Sequence, residues 1–317
     1  MSGTALIAIG GNSLIRAGED ASVATERAHV RETAERIADM IVSGWRVVLT
    51  HGNGPQVGAA LLRSERAAPE AYALPLDVCV AATQGEIGFL LGQALEEALA
   101  ARGHPGPVVT VLTRVLVASD DPAFAHPTKP IGPHLDAARA DTRRRAGWHL
   151  VEDPPRGFRR VVASPEPLEV LEEGVVRGLV AAGATVVTLG GGGIPVARMG
   201  KGGGLTGVEA VVDKDLASAL LAIRLEVDLF LVLTDVDGVY RDFATPRARR
   251  LGRVTAAELR RYAEGGHFPA GSMGPKVEAM LRFVESGGGG EAVVTSPDQL
   301  APALRGETGT HLLRGEP

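Results

Sequence analysis

Asp213-Lys-Asp-Leu-Ala-Ser-Ala-Leu-Leu-Ala222, followed by Leu229-Phe-Leu-Val-Leu233, reads as a helix running into a buried strand. Leu216, Ala219, Leu220 and Ile223 recur at i, i+3, i+4 and i+7, the spacing of one helical face, and Asp213 is a good N-cap. Lys214 and Asp215 then fall in the first turn, where a lysine opposes the positive end of the helix dipole. The anomaly recurs at Ser272-Met-Gly-Pro-Lys276, ahead of Val277, Met280, Leu281 and Val284. One such lysine is ordinary surface chemistry. Two at two helix starts, in a chain full of glycine-rich turns, point at a strongly anionic group, most simply phosphate.

Outward from this unit the strand–helix alternation repeats. Strands are expected at Thr4–Ile9, Arg46–Thr50, Val108–Leu112, Thr185–Leu189, Ala292–Thr295 and Thr310–Leu313. Helical patterns lie near Val23–Ser43, Gln56–Arg66, Leu76–Ala101, Leu168–Ala182 and Ala256–Ala263, with a long one from Met273. This predicts an α/β fold: an open, mainly parallel sheet with helices on both faces, in one domain over residues 1–317. Ligands of such sheets bind beyond the carboxyl ends of the strands, so the turns there should line one crevice. From Arg114 to about Pro165 the chain turns rich in proline and arginine, as an inserted lid subdomain would. Its Arg143-Arg144-Arg145 run, with Asp136, Asp141, Glu152 and Asp153 around it, reads as a solvated face.

The 317 residues are 45% hydrophobic and 22% charged, an ordinary globular profile with room for a large core. A net charge of −5 gives no reason to expect nucleic acid as a partner. A single cysteine, Cys79, fits a reducing cytoplasm, and no membrane span or signal peptide is expected. Gly287–Gly290 reads as a helix-to-strand linker.

Gly10-Gly11-Asn12 lets backbone approach a ligand closely, with Asn12 able to donate to a phosphoryl oxygen; alone it is only a tight turn. Gly190–Gly193 is similar, and neither turn has dinucleotide spacing. Gly200-Lys201 is followed by Gly202, so no P-loop is present. His51-Gly52-Asn53-Gly54-Pro-Gln56 suits an anion cradle better than a catalytic histidine, since no nucleophile motif accompanies it. Asp235-Val236-Asp-Gly238 lacks the rest of a calcium loop and reads as a strand-end turn near the ligand. Lys129, in Pro127-Thr-Lys-Pro130, sits on stiffened backbone and offers a third cation.

Together these stretches resemble the carbamate kinases of the amino-acid-kinase family over nearly the whole chain. The matching segments include Ile9-Gly-Gly-Asn12, Thr50-His-Gly-Asn-Gly-Pro-Gln-Val-Gly58, Thr83-Gln-Gly85 and Pro127-Thr-Lys-Pro-Ile-Gly-Pro133. Arg160–Pro165, Gly190–Val196, Gly207–Asp215 and Gly271–Lys276 follow in the right order. Ala8 stands where many amino acid kinases place a lysine, a gap shared with carbamate kinases. Departures are Ala163 for a usual proline, Pro269-Ala270 in swapped order, and a longer loop at Gly200–Gly204.

The resemblance implies reversible phosphoryl transfer between carbamoyl phosphate and ADP, giving carbamate and ATP. It implies Lys129, Lys214, Asp215 and Lys276 as catalytic, with Asp215 orienting the lysines and keeping them protonated. Gly10, Gly11, Asn12, Gly52, Asn53 and Gly54 would bind phosphate and substrate; Asp235, Val236, Tyr240, Met273 and Gly274 would receive the nucleotide. Magnesium should arrive with ATP or ADP, without a dedicated protein metal site, and the enzyme should be a cytoplasmic homodimer. Two alternatives stay open: a sister kinase acting on another small acid or phosphate monoester, and a catalytically silent metabolite-binding regulator.

Overall fold

A computed structural model describes residues 3–11, 22–154, 156–200, 202–243, 245–269, 271–288 and 290–314. Asn12 lies outside them.

An eight-stranded sheet runs through the molecule in the order Arg253–Thr255, Thr310–Leu313, Glu291–Thr295, Leu229–Leu233, Thr4–Ile9, Arg46–His51, Thr185–Thr188, Val108–Thr110. All neighbours are parallel except Glu291–Thr295 against Thr310–Leu313. Leu229–Leu233 and Thr4–Ile9, in the middle, are buried residue by residue, which is why they show no polar alternation. Alternate side chains feed two cores. Leu6, Ala8, Phe230 and Val232 face one layer of helices; Ala5, Ile7, Ile9 and Leu231 face the other.

The helix Leu76–Ala101 is long and apolar enough by composition to cross a membrane. Here it is a core helix: Ile87, Leu91, Leu95 and Leu99 pack on the sheet face that also holds Ile37 and Ile41 of helix Val23–Val42. The helix Lys214–Leu225 begins where the sequence placed it, with Asp213 as N-cap accepting from the amides of Asp215 and Leu216. Its buried face differs from the expected one. Of the expected residues Ala219 is fully inside, with Ala217, Ser218, Leu221 and Ala222, while Leu216, Leu220 and Ile223 are only partly covered. The helix packs between the sheet and helix Met273–Glu285, so apolar spacing alone did not single out its inner side.

Beside the two-stranded pair Tyr240–Arg241 and Arg249–Arg250, two smaller sheets were not foreseen. Leu205–Gly207, Ile194–Arg198, Arg114–Leu116 and Glu169–Val170 form one. Lys129–Leu135, Phe158–Val162 and Leu150–Glu152 form the other, antiparallel and flanked by helix Ala137–Arg145. This second unit touches the body where Gly132 meets Gly58 of helix Gly54–Ala67. A Cβ on Gly58 would lie 2.1 Å from the Gly132 nitrogen, and Gly132 itself has φ +71°, so both positions require glycine. The arginine run is only partly a solvated face: Arg144 lies 4.7 Å from the Phe158 ring centroid and Arg143 lies 4.6 Å from that of Trp148.

Candidate active site

The carboxyl ends of the central strands open onto one cleft of about 520 Å³. Gly10 and Gly11 follow Thr4–Ile9, Gly52 to Gly54 follow Arg46–His51, and Thr234 to Val236 follow Leu229–Leu233; all line it. Hydrogen bonds from Gly10 N to Leu233 O and from Gly52 N to Ile9 O, at 3.0 and 2.9 Å, carry the sheet ladder into these turns. They also bring the turns into backbone contact, since a Cβ on Gly52 would lie 2.7 Å from the Gly11 nitrogen.

The loops are braced from behind by Thr83-Gln84 of the long core helix. Asn53 Nδ2 donates to Thr83 Oγ1 at 3.0 Å, and Gln84 Nε2 donates to the carbonyls of Thr113 and Gly190 at 3.1 and 3.0 Å. His51 is buried beside Gly190, with Nδ1 donating to the Gly52 carbonyl at 3.1 Å. Burial, against the Gly52 hydrogen bond and with the nearby Lys214 charge, brings its pKa down to about 4. The imidazole is therefore neutral at pH 7 and serves as a packing and hydrogen-bonding group.

Three ammonium groups reach the cleft from three elements. Lys129 opens the first strand of the small antiparallel sheet, Lys214 is the first residue of its helix, and Lys276 sits in the first turn of Met273–Glu285. Two carboxylates tie them together. Asp213 Oδ2 accepts from Lys129 Nζ at 2.5 Å. Asp215 accepts from Lys214 Nζ at 2.5 Å through Oδ1 and from Lys276 Nζ at 3.1 Å through Oδ2. An anion was expected at each helix start; the fold puts both starts, and the third lysine, on one wall.

The electrostatics divide the pair. Burial would favour a neutral Asp215, but Lys214 and Lys276, by charge and hydrogen bond, hold its carboxyl well below the usual range. Lys276 is pushed down by burial yet ends above its ordinary value, because Asp215, Asp213 and Asp235 together outweigh that cost. Lys214 ends below: its burial, with Lys276 repelling it, exceeds what Asp215 returns. Asp215 thus favours the charged form of both lysines; at Lys276 that support, with Asp213 and Asp235, outweighs burial, and at Lys214 it does not. Lys214, the more deeply buried, has an unmet demand for negative charge in the cleft.

Of the residues expected to receive a nucleotide, Asp235, Val236, Tyr240 and Met273 line the cleft; Gly274 is absent from its wall. The Gly274 amide bonds the Pro269 carbonyl at 2.9 Å, shaping the turn before the helix. Sequence reasoning missed Phe243, whose ring meets Tyr240 edge-on at 5.8 Å, and Arg156 and Arg159 from the small sheet. Arg159 Nε is buried without a hydrogen-bond partner, and burial draws this guanidinium below its ordinary pKa. The signal was available in period-two alternation, which sends Arg159 to one face of its strand and Arg160 to the other. Among the described residues no three His, Cys, Asp or Glu side chains gather as a metal site.

The sequence model of the amino acid kinase family matches residues 3–296. A carbamate kinase from Thermococcus kodakarensis is 46% identical over 314 residues, with 98% of each chain covered. Carbamate kinase-like protein YahI from Escherichia coli is also 46% identical, over 313 residues and 98% of each chain. A solved structure of carbamate kinase from Giardia lamblia bound to AMP-PNP superposes with a TM-score of 0.90 at 40% identity, covering 99% of both chains.

Proposed function

The chain belongs to the amino acid kinase family, and from that premise we propose that it is a carbamate kinase, moving a phosphoryl group between carbamoyl phosphate and ADP to give carbamate and ATP. The observation that carries this reading is the meeting of Lys129, Lys214 and Lys276 on one cleft at the strand ends. Phosphoryl transfer between two oxyanions needs charge neutralisation and in-line alignment more than proton removal. Carbamate is already an anion, which agrees with a site whose one buried histidine is neutral.

Lys129 holds the acyl-phosphate end, while Lys214 and Lys276 neutralise the transferring group and the nucleotide β-phosphate. Asp215 fixes both lysines in place. The amides of Gly10 and Gly11 face the phosphoryl oxygens, and Gly52, Asn53 and Gly54 cradle the substrate anion. Tyr240, Phe243, Val236 and Met273 give the apolar side on which adenine rests, supported by the AMP-PNP complex of the Giardia relative. Arg156 and Arg159 close over the anion from the small antiparallel sheet, which serves as a lid. Magnesium accompanies the nucleotide and supplies further charge neutralisation. Asp213 and Asp215 are taken up by lysines, so when the ion is bound it would be held chiefly through the nucleotide's phosphates. We infer a cytoplasmic enzyme, a reading that the one buried free thiol at Cys79 supports, and a homodimer from the family resemblance.

The direct test is ATP formation from carbamoyl phosphate and ADP, run beside acetyl phosphate. Turnover with carbamoyl phosphate and little with acetyl phosphate is expected; preference for another phosphate donor would replace the substrate assignment. The equal identity to a carbamate kinase-like protein is what keeps a sister-kinase reading in view.

The pH dependence gives a second test. Lys214 is active when charged, so activity should fall as pH rises through its pKa, which burial and the neighbouring Lys276 hold below the ordinary lysine value. A bound phosphate stabilises the ammonium. The alkaline limb of kcat/KM should therefore lie at lower pH than that of kcat. Coincident limbs in a wild-type enzyme, both lost to the same extent in Lys214→Arg, would separate Lys214 from the phosphate.

A further inference from the structure

We propose that the protein carries a second anion site, on the face of the small antiparallel sheet turned away from the cleft, that takes a compact polyanion of the pyrophosphate class. Arg159 lines the cleft, but its neighbour Arg160 lines a separate cavity of about 560 Å³, within the range of small-molecule sites. Four arginines stand on its wall and no carboxylate does: Arg66 from helix Gly54–Ala67, Arg139 and Arg143 from helix Ala137–Arg145, and Arg160.

Two of these are partly neutralised from outside the wall. Glu65 accepts from Arg160 at 2.6 Å, and Asp136 lies 3.4 Å from Arg139. Among the described residues Arg66 and Arg143 have no carboxylate partner. Arg143 and Arg160 lie 4.6 and 4.2 Å from the centroid of the Trp148 ring. Packing on the indole positions both guanidinium groups, and Arg143, without a carboxylate partner among the described residues, has N–H groups to offer a phosphate, which guanidinium binds through paired hydrogen bonds. An uncharged or singly charged ligand would leave most of that positive potential unanswered, so the site selects a compound with at least two anionic groups.

The walls belong to two units that meet at Gly58 and Gly132, both on the wall of this cavity. The helix carrying Arg66 begins at Gly54 in the active cleft, and the strand that lines this cavity begins at Lys129. An anion spanning Arg66 and Arg139 therefore braces the small sheet against the body from behind. The proposal concerns binding and does not rest on the phosphoryl-transfer reading.

Trp45 and Trp148 are the two tryptophans of the chain. In a Trp45→Phe background Trp148 is the sole indole reporter, and titration with inorganic pyrophosphate at fixed ionic strength should change its emission saturably. Arg66→Ala and Arg139→Ala replace exposed side chains on opposite walls, so folding is retained. Each should weaken pyrophosphate by about tenfold, the worth of one charge-assisted hydrogen bond. Lys276→Ala, which removes an ammonium from the active cleft, should leave the response in place. The proposal is overturned by no saturable response, by one that survives both arginine variants, or by one that disappears in Lys276→Ala.

Discussion

Lys214→Ala is expected to lower kcat by about 10²–10³, the usual cost of removing one preorganised group that meets developing charge. Lys214 is held for that task more tightly than a surface lysine. It is buried at the first position of its helix, against the dipole, with Nζ 2.5 Å from Asp215. Its lowered pKa means that the folded protein bears a cost to keep it charged, which a phosphoryl anion in the cleft offsets. The loss should therefore fall mainly on kcat, with a smaller change in KM, because the interaction is strongest in the transition state. Asp215 keeps Lys276 as a partner in the variant, so the fold should persist. Near-wild-type turnover by folded Lys214→Ala would remove this lysine from the chemistry.

Asp215→Ala should have the opposite profile, with stability lost as well as rate. One buried carboxylate answers the buried Lys214 and the half-buried Lys276, and its removal takes from both their nearest negative charge, leaving Asp213 and Asp235 farther off. Breaking a buried pair by removing one partner costs about 3–5 kcal/mol. Lys214, already below its ordinary pKa, would be drawn further down, so the unfolded chain binds more protons. Stability of the variant should rise with pH until Lys214 in the unfolded chain also loses its proton. Denaturant melts across neutral to alkaline pH, with and without ADP, measure this directly, and ADP should restore part of the loss by binding only the folded form. A variant as stable as the parent at pH 7, with no slope toward high pH, would show that Asp215 does not hold the cluster together.

Much of the fold could be read from residues. Leu76–Ala101, Leu229–Leu233 and Thr310–Leu313 have the boundaries the pattern predicts, because long periodic or unbroken apolar runs leave few alternatives. The two small sheets were not legible. Their strands are as short as Glu169–Val170, contain Pro130, Pro133 and Gly132, and pair across distances such as Arg114 with Ile194, none of which leaves a local trace.

The site divides in the same way. Lys214 and Lys276 broke a helix rule, and that made them visible. Asp213 looked like an ordinary cap, and nothing nearby in sequence showed that it also holds Lys129. Gly274 was carried along with Met273, and its amide engages the Pro269 carbonyl in the turn before the helix. Phe243 and Arg159 carry no motif of their own, and only the folded chain brings them to the cleft.

Asp213 uses its two oxygens for two unrelated tasks: Oδ1 receives the amides of Asp215 and Leu216, and Oδ2 grips Lys129. Alanine would forfeit both at once and blur any result. Asparagine keeps an oxygen for the amides and turns an NH2 toward the ammonium, so it frays nothing while unhooking the overhanging strand. Opening and unravelling, which ordinary mutagenesis would confuse at this residue, become separable by exchanging a single atom.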